Sequence, residues 1–216
     1  MLARTDRTTF RQRPQRGSFD PAVIAAILDE ALVCTVAFVE DGRPVGIPTT
    51  HWRMGDRVLF HGGQGSRLAK AMAAGAELCI TATLVDGMVL ARSAFHHSMN
   101  YRSVVLFGRA VEVTDPAEKE AAFAALIDKL APGRSAAVRP VTAKELAATR
   151  LLALAITEGS AKTRSGPPVD DEADISWPVW AGVVPVMQAR GEPVADGGGE
   201  GASSSRGETP WNHASV

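Results

Sequence analysis

The chain has 216 residues, of which 45% are hydrophobic and 22% charged, a balance typical of a globular protein with one or two domains and a substantial core. Its formal net charge of −1 gives no electrostatic reason to expect a nucleic acid or an anionic membrane as a partner. No stretch approaches the ~20 apolar residues of a membrane span, and the N-terminus lacks the apolar core of a signal peptide, so we expect a cytoplasmic location.

The first third of the chain predicts an arm, a helix and a meander of strands. Residues 1–17 are polar and rich in arginine, which favours a flexible arm or a strap over a partner surface. Asp20-Pro21 is typical of a helix start, with Asp as the cap and Pro in the first turn. The predicted strands cover residues 32–39, 44–52 and 57–61, with a hairpin turn at Asp41-Gly42 and with Pro48 favouring a sheet edge.

The remainder predicts more strands, two helices and a tail. We expect strands at 77–85, at 88–93 after an Asp86-Gly87 hairpin turn, at 101–113 with a bend at Gly108, and at 151–156. Helices are predicted from Asp115-Pro116 to about Leu130 and from Thr142, followed later by a loop over 160–178 and an edge segment over 180–186. Short strands joined mainly by tight turns predict a mainly β fold with flanking helices, in which an antiparallel barrel occupies residues 18–189 and a disordered tail occupies 190–216.

The stretch from Arg57 to Lys70 predicts an anion site. A strand breaks at Gly62-Gly63, and Ser66 then suits the cap of a helix whose N-terminal N–H groups and positive dipole end attract anions. Arg67 and Lys70 are three residues apart and therefore share a helix face. Our hypothesis is that the stretch holds a phosphorylated cofactor and that His61 faces the reactive part of it. The alternative is an ordinary loop followed by an exposed helix; a Walker motif is absent.

The histidines and cysteines show no metal-binding pattern. No histidine pair has the spacing of a metal-binding helix, and Cys34 and Cys79 do not cluster with the histidines, so we predict no metal site. His51 and His97 are interpreted as structural or solvated residues. The two cysteines lie in apolar strand-like segments, which favours buried thiols over a disulfide.

Four segments together resemble a known family: Ile47-Pro-Thr-Thr50, Leu59-Phe-His61, Gly65-Ser-Arg67 and Tyr101-Arg-Ser-Val-Val-Leu-Phe-Gly108. Over residues 18–186 the chain is similar to the pyridoxamine 5′-phosphate oxidase-like flavoproteins, and most similar to their nitroimidazole-resistance branch. The resemblance implies a split β-barrel that binds FMN at the interface of a homodimer. The cofactor-binding residues that it implies are Ile47, Pro48, Thr49 and Thr50 against the flavin ring, His61 near the ring, Ser66 and Arg67 on the phosphate, and Arg102 and Ser103, which could come from the second subunit.

One position departs from that family. The oxidases have a lysine directly after the arginine of the phosphate site, whereas this chain has Leu68, so Lys70 is the candidate replacement. The expected activity is an FMN-dependent reduction of a small compound, for example a nitroaromatic, with electrons from NADH or NADPH and with His61 as the catalytic residue. Two alternatives stay open: a flavin-binding protein for storage or sensing, and a relative that binds haem or a deazaflavin.

Overall fold

The computed structural model describes residues 1–194, whose strands form two antiparallel sheets. The strands are β1 (Gly17–Ser18), β2 (Val33–Glu40), β3 (Arg43–Thr50), β4 (Trp52–Met54), β5 (Arg57–Gly63), β6 (Glu77–Leu90), β7 (Ser98–Arg109), β8 (Val111–Val113), β9 (Thr149–Ala155), β10 (Glu158–Arg164) and β11 (Gly182–Pro185). The large sheet has the order β1-β10-β7-β6-β2-β3 with β11 also paired to β6, and the small sheet has the order β4-β5-β9-β8. The predicted mainly β, antiparallel architecture is confirmed, although the two sheets do not close into one barrel.

The helices flank the sheets and begin where capping residues predict. They are α1 (Pro21–Glu30), α2 (Arg67–Ala73), α3 (Pro116–Leu130) and α4 (Ala143–Ala148). The side chains of Asp20 and Asp115 accept hydrogen bonds from first-turn N–H groups at 2.9 and 2.7 Å, and Thr142 forms a reciprocal capping box with Glu145. None of the helices within residues 1–194 is long and apolar enough to cross a membrane.

The small sheet lies between two hydrophobic cores. Phe60 of β5 and Leu152 of β9 pack in the larger core with the inner face of the large sheet, α1 and α2. Leu59 and Leu151 pack in the second core with α3. Because successive side chains of a strand point to opposite faces, His61 projects on the same face of β5 as Leu59.

The predicted hairpin at Asp86-Gly87 is wrong. β6 runs through both residues from Glu77 to Leu90, with a bulge between Val85 and Gly87, and pairs with β7 on both sides of the bulge. β11 pairs with the last part of β6, and a Cβ atom at Gly87 would lie only 2.9 Å from a methyl carbon of Val183. Position 87 therefore requires glycine because β11 passes close to it.

The second half of the chain differs from prediction at three further places. The segment predicted as a single strand over 101–113 is divided at Ala110, so that β7 belongs to the large sheet and β8 to the small one. Gly108 has a φ of 154°, and β7 continues through it in register with β6, without the bulge or bend that the sequence suggested. The predicted loop over 160–178 contains most of β10, which pairs with β7. The short edge segment near the C-terminus is confirmed as β11, and the predicted tail falls outside the described residues from 195 onward.

The N-terminal segment packs against the large sheet of the same chain. The Leu2 N–H group donates to the carbonyl of Phe19 at 2.8 Å, and the Thr5 hydroxyl donates to Glu158 at 2.6 Å. Arg7 forms ion pairs with Glu77 and Glu158, and its guanidinium stacks 4.6 Å above the ring of Phe107. These contacts attach the segment beside β10 and the first residues of β6.

Both cysteines are free thiols, as predicted. Cys34 is buried in the larger core and Cys79 is half-buried on the outer face of the large sheet. Burial raises the pKa of Cys34 to about 12, so this thiol stays protonated at neutral pH.

Candidate cofactor site

The turn between β5 and α2 forms a compact cradle with an open side. A Cβ atom on Gly62 would lie 3.0 Å from the Ser66 hydroxyl oxygen and 3.1 Å from the Ala69 methyl, so this glycine allows α2 to pack against the strand. The Ser66 hydroxyl accepts a hydrogen bond from the Ala69 N–H at 3.3 Å, which confirms the predicted N-cap. No atom lies within 4 Å of a Cβ built on Gly63 or Gly65, so there is room for a ligand beside the helix start.

Arg67 is already paired with a carboxylate. Its Nε and Nη2 atoms donate to one oxygen of Glu40 at 2.9 and 2.5 Å. Glu40 is the last residue of β2, and local spacing could not predict this contact, because 27 residues separate the partners. Both side chains are largely exposed, and exposed ion pairs of this kind contribute little to stability. The guanidinium therefore already binds one oxyanion, the Glu40 carboxylate. Replacing Glu40 by another anion would cost little free energy.

Position 68, where the oxidases have a lysine, is turned into the protein core. Leu68 is 6% exposed and packs in the larger core, so its side chain points away from the open side of the cradle. Lys70 is exposed and has no ion pair among residues 1–194. Lys70, about one helical turn further along, therefore stays the candidate for a second cation beside Arg67.

β3 supplies an apolar wall that starts next to Arg67. Arg43 pairs with Glu40 across the hairpin, and Ile47 follows four residues, or about 13 Å, further along the strand. Ile47 packs against the larger core, Pro48 is exposed, and Thr49 and Thr50 are half-buried. The contacts of residues 47–50 with a flavin ring stay a prediction.

His61 and the start of α2 lie on opposite faces of β5. Gly62 faces α2, and His61 therefore projects to the opposite face, where the rings of Trp52 and Phe123 have their centres 5.8 and 6.1 Å from its own. Burial by these neighbours lowers the pKa of His61, so the imidazole is neutral at pH 7. His61 therefore lies on the opposite face of β5 from the helix start, and its role near the reactive part of a cofactor stays a prediction.

Arg102 and Ser103 project to opposite faces of β7. The guanidinium of Arg102 is on the inner face, where it pairs with Asp86 at 2.7 Å and with Glu30 at the end of α1. These two carboxylates raise the pKa of Arg102 further above its usual value. Ser103 is on the outer face and donates to the carbonyl of Lys162 at 3.2 Å. The two neighbours therefore cannot contact one ligand from the same side.

The strand register also separates Arg102 from Arg67 within one chain. Glu40, the partner of Arg67, lies on β2, and Arg102 lies on β7; both strands flank β6. In the register of β2, where Ala37 lies opposite Cys79, Glu40 is level with position 76, just before β6 begins. Arg102 lies opposite Leu84 of β6. Eight residues along a strand correspond to about 26 Å. A single chain does not bring the two arginines to one phosphate.

The polar loop before β7 is largely occupied by contacts with a later loop. Asp170 accepts hydrogen bonds from the backbone and the side chain of Arg92 at 2.9 and 3.0 Å. Asn100 donates to the carbonyl of Gly166 at 3.1 Å. Within residues 1–194 no group of three metal-ligating side chains is arranged around a common point.

His51 and Lys129 form a structural cluster at the end of α1. The Nζ atom of Lys129 donates to the carbonyl oxygens of Leu28, Ala31 and His51 at 2.8–2.9 Å. The buried His51 ring also donates from Nε2 to the Leu28 carbonyl at 2.9 Å. Burial lowers the pKa of Lys129 to about 8, and burial together with Lys129 lowers that of His51 to about 4. The interpretation of His51 as structural agrees with this environment.

The fold is of the split-barrel type, and a strand, a glycine turn and a capped helix form the candidate anion site beside an edge strand. A family model for pyridoxamine 5′-phosphate oxidase matches residues 20–163. The chain therefore belongs to the pyridoxamine 5′-phosphate oxidase-like family, as its sequence motifs predict.

Three solved structures show how the chain relates to others of this fold. The flavocytochrome Anf3 of Azotobacter vinelandii is 40% identical with a TM-score of 0.85, and 92% of each chain is covered. The FAD and haem binding protein of Mycobacterium smegmatis is 39% identical with a TM-score of 0.83, covering 91% of this chain and 95% of the other. A 5-nitroimidazole resistance protein from Bacteroides thetaiotaomicron shares the fold, at 18% identity and a TM-score of 0.58 over 68% and 85%. No curated protein sequence matches the chain significantly.

Proposed function

We propose that the chain is a redox protein that binds a flavin and a haem and reduces a small acceptor. The observation that carries the proposal is the likeness, at 40% and 39% identity over nine-tenths of the chain, to a flavocytochrome and to an FAD and haem binding protein. This likeness favours FAD over the FMN expected from the sequence. FAD contains the riboflavin phosphate unit of FMN, so the same cradle serves either molecule.

The residues of the cradle fit a flavin phosphate. Arg67 exchanges Glu40 for the phosphate, Lys70 adds a second positive charge, and the backbone of β3 at residues 47–50 lines the ring along the sheet edge. The flavin, once bound, supplies the electron transfer. The chain binds and orients it and excludes water from one side.

The site is completed in our proposal by a second copy of the chain. The middle of the outer face of the large sheet carries exposed or half-buried valines, with Val33 and Val39 on β2, Val85 on β6 and Val105 on β7, while charged side chains of β10 lie toward one border. Ser103 lies on this same face and would reach the site of the other copy, as the resemblance implies for a homodimer. Arg102, held by two carboxylates on the inner face, is the weaker candidate.

The test is the identity and behaviour of the bound cofactors. We expect the purified protein to show flavin and haem absorption bands, and the extracted flavin to be FAD by chromatography. Anaerobic addition of NADH or NADPH tests the proposed electron donors, and turnover with a nitroaromatic tests the acceptor expected from the sequence. A colourless protein that gains no bands with FAD, FMN or haemin would refute the proposal. Binding without reduction would point instead to storage or sensing.

Substitution of Arg67 by alanine should weaken flavin binding by roughly 10- to 100-fold, as for other charge-assisted phosphate contacts. The matched variant is Glu40→Gln, which removes the competing carboxylate and should raise affinity by a few-fold. Both affinities are measured by quenching of flavin fluorescence on titration. If Arg67→Ala binds as tightly as the wild type, the phosphate lies elsewhere.

Substitution of His61 by alanine should leave flavin affinity within about two-fold, because the ring projects away from α2. We expect reduction of the acceptor to slow by about 100-fold if His61, in its protonated fraction, passes a proton to the substrate and regains one from water. Stopped-flow measurement separates the two half-reactions. Undiminished turnover would limit His61 to packing between Trp52 and Phe123.

A further inference from the structure

An exposed apolar surface lies at the far end of β6, where β7 and β11 flank it. Met88 on β6 lies opposite Met99 on β7 and opposite Val184 on β11. Trp180 packs over Gly182, which lies opposite Leu90 of β6. Leu90 is two residues beyond Met88 on the same strand. Phe95, Met99 and Trp180 are 89%, 55% and 62% exposed. Met88, Met99 and Trp180 share this face of the sheet, and Phe95 belongs to the loop that leads into β7. Aromatic and methionine side chains this exposed are typical of a binding surface.

His97 lies beside this surface with its ring orientation fixed. It directly precedes Ser98, which pairs with Val89 of β6. Its Nδ1 atom is 2.9 Å from the carbonyl oxygen of Ser93. A carbonyl oxygen only accepts, so the proton of the neutral ring is on Nδ1, and the lone pair is on Nε2. A metal-ligating histidine usually has this arrangement, with one ring nitrogen bonded to a backbone carbonyl and the other presented to the metal.

The other described histidines lack this combination. His51 is buried and uses Nε2 to donate to Leu28. His96 has a buried Nδ1 without a hydrogen-bond partner, and its Nε2 lies 3.9 Å from Asp171. His61 is exposed, but no hydrogen bond within residues 1–194 fixes its tautomer or the rotation of its ring.

We infer that His97 is the axial ligand of the haem and that the apolar surface around Phe95, Met99 and Trp180 covers the porphyrin. The inference rests on the haem binding proposed above and adds the residue that holds the iron. Nε2 of His97 donates its lone pair to the iron, while the Ser93 carbonyl keeps the ring in the ligating tautomer. The large exposed rings supply the apolar contact that a porphyrin needs.

The experiment is a titration of the full chain with haemin, followed by absorption and electron paramagnetic resonance spectra. The variants are His97→Gly, with His96→Gly as a matched neighbour and His61→Ala as the rival ligand. Flavin content is measured in every sample, and it reports correct folding independently of the haem. Free imidazole is then added to each glycine variant, because it can occupy the space of a lost histidine ring.

We expect His97→Gly to retain its flavin and to lose haemin affinity by more than about 10-fold, since even the loss of an outer contact to a metal ligand costs that much. Imidazole should restore the axial-ligand spectrum in His97→Gly, while His96→Gly and His61→Ala should keep the wild-type spectrum. A wild-type spectrum in His97→Gly, or its loss in His61→Ala alone, would overturn the inference and leave haem binding intact. A flavin-containing wild type that takes up no haemin would overturn both the inference and the haem half of the proposed function.

Discussion

Replacing Lys129 by methionine is expected to lower the free energy of unfolding by about 3 kcal/mol, because charged hydrogen bonds are worth about 1.5–3 kcal/mol each and are partly redundant. The ammonium group donates to three carbonyl oxygens, two at the end of α1 and one on the residue that begins the small sheet. Methionine keeps the aliphatic stem and removes all three donors. Helix α1, the segment before β4 and helix α3 would lose their common contact.

Denaturant unfolding measures this loss, and Lys144→Met is the matched control. Lys144 is an exposed helical lysine without a hydrogen bond among the described residues, so its replacement should change stability by less than about 0.5 kcal/mol. Lys129→Arg should recover part of the loss by retaining charge and donors. Equal stability of Lys129→Met and Lys144→Met would show that the three contacts contribute nothing.

Lowering the pH from about 7 to about 4 is expected to destabilise the protein by up to about 3 kcal/mol through His51 alone. Burial and then Lys129 lower the folded-state pKa of His51 from 6.5 to about 4. In this interval the unfolded chain binds a proton at His51 and the folded chain does not, so protonation favours unfolding as the pH falls. Below about pH 4 both states bind the proton, and the contribution becomes constant.

The check is the free energy of unfolding at several pH values between 7 and 4.5, for the wild type and for His51→Gln. The variant should be less stable at pH 7 and should lose most of the pH dependence. A smaller slope of the same sign should remain, because the pKa of His61 is lowered as well. Glu145, whose pKa is about 2, titrates below the interval. Parallel profiles for the two proteins would exclude His51 as the source.

Features set by neighbouring residues could be predicted from the sequence, whereas features set by distant ones could not. Asp41 and Gly42 adopt φ values of 51° and 73°, the left-handed pair that a tight hairpin turn requires. The same dipeptide at Asp86-Gly87 is only a bulge, because β11 approaches from almost 100 residues further along the chain. The helix caps at Asp20 and Asp115 were predictable because they act over three residues.

In the candidate site, too, the features that depend on neighbouring residues could be predicted, and those that depend on distant residues could not. Ser66 as the cap and Arg67 and Lys70 on one helix face follow from local spacing, and the cradle confirms the cap. The face of His61 could not be predicted, because Val58, Leu59 and Phe60 are all buried, and a continuous apolar run hides the alternation of a strand. The role inferred for His97 depends on the Ser93 carbonyl and on β11, whose positions only the fold determines.

The two borders of the large sheet determine how copies of this protein can associate. One border is β1, which is two residues long, and the other is β3, which carries Pro44 and Pro48 and so lacks two backbone donors. Neither border is a good template for strand addition, so chains are protected against growing into a continuous intermolecular sheet. In the pair of copies proposed above, packing face to face is the arrangement that leaves these two edges in solvent.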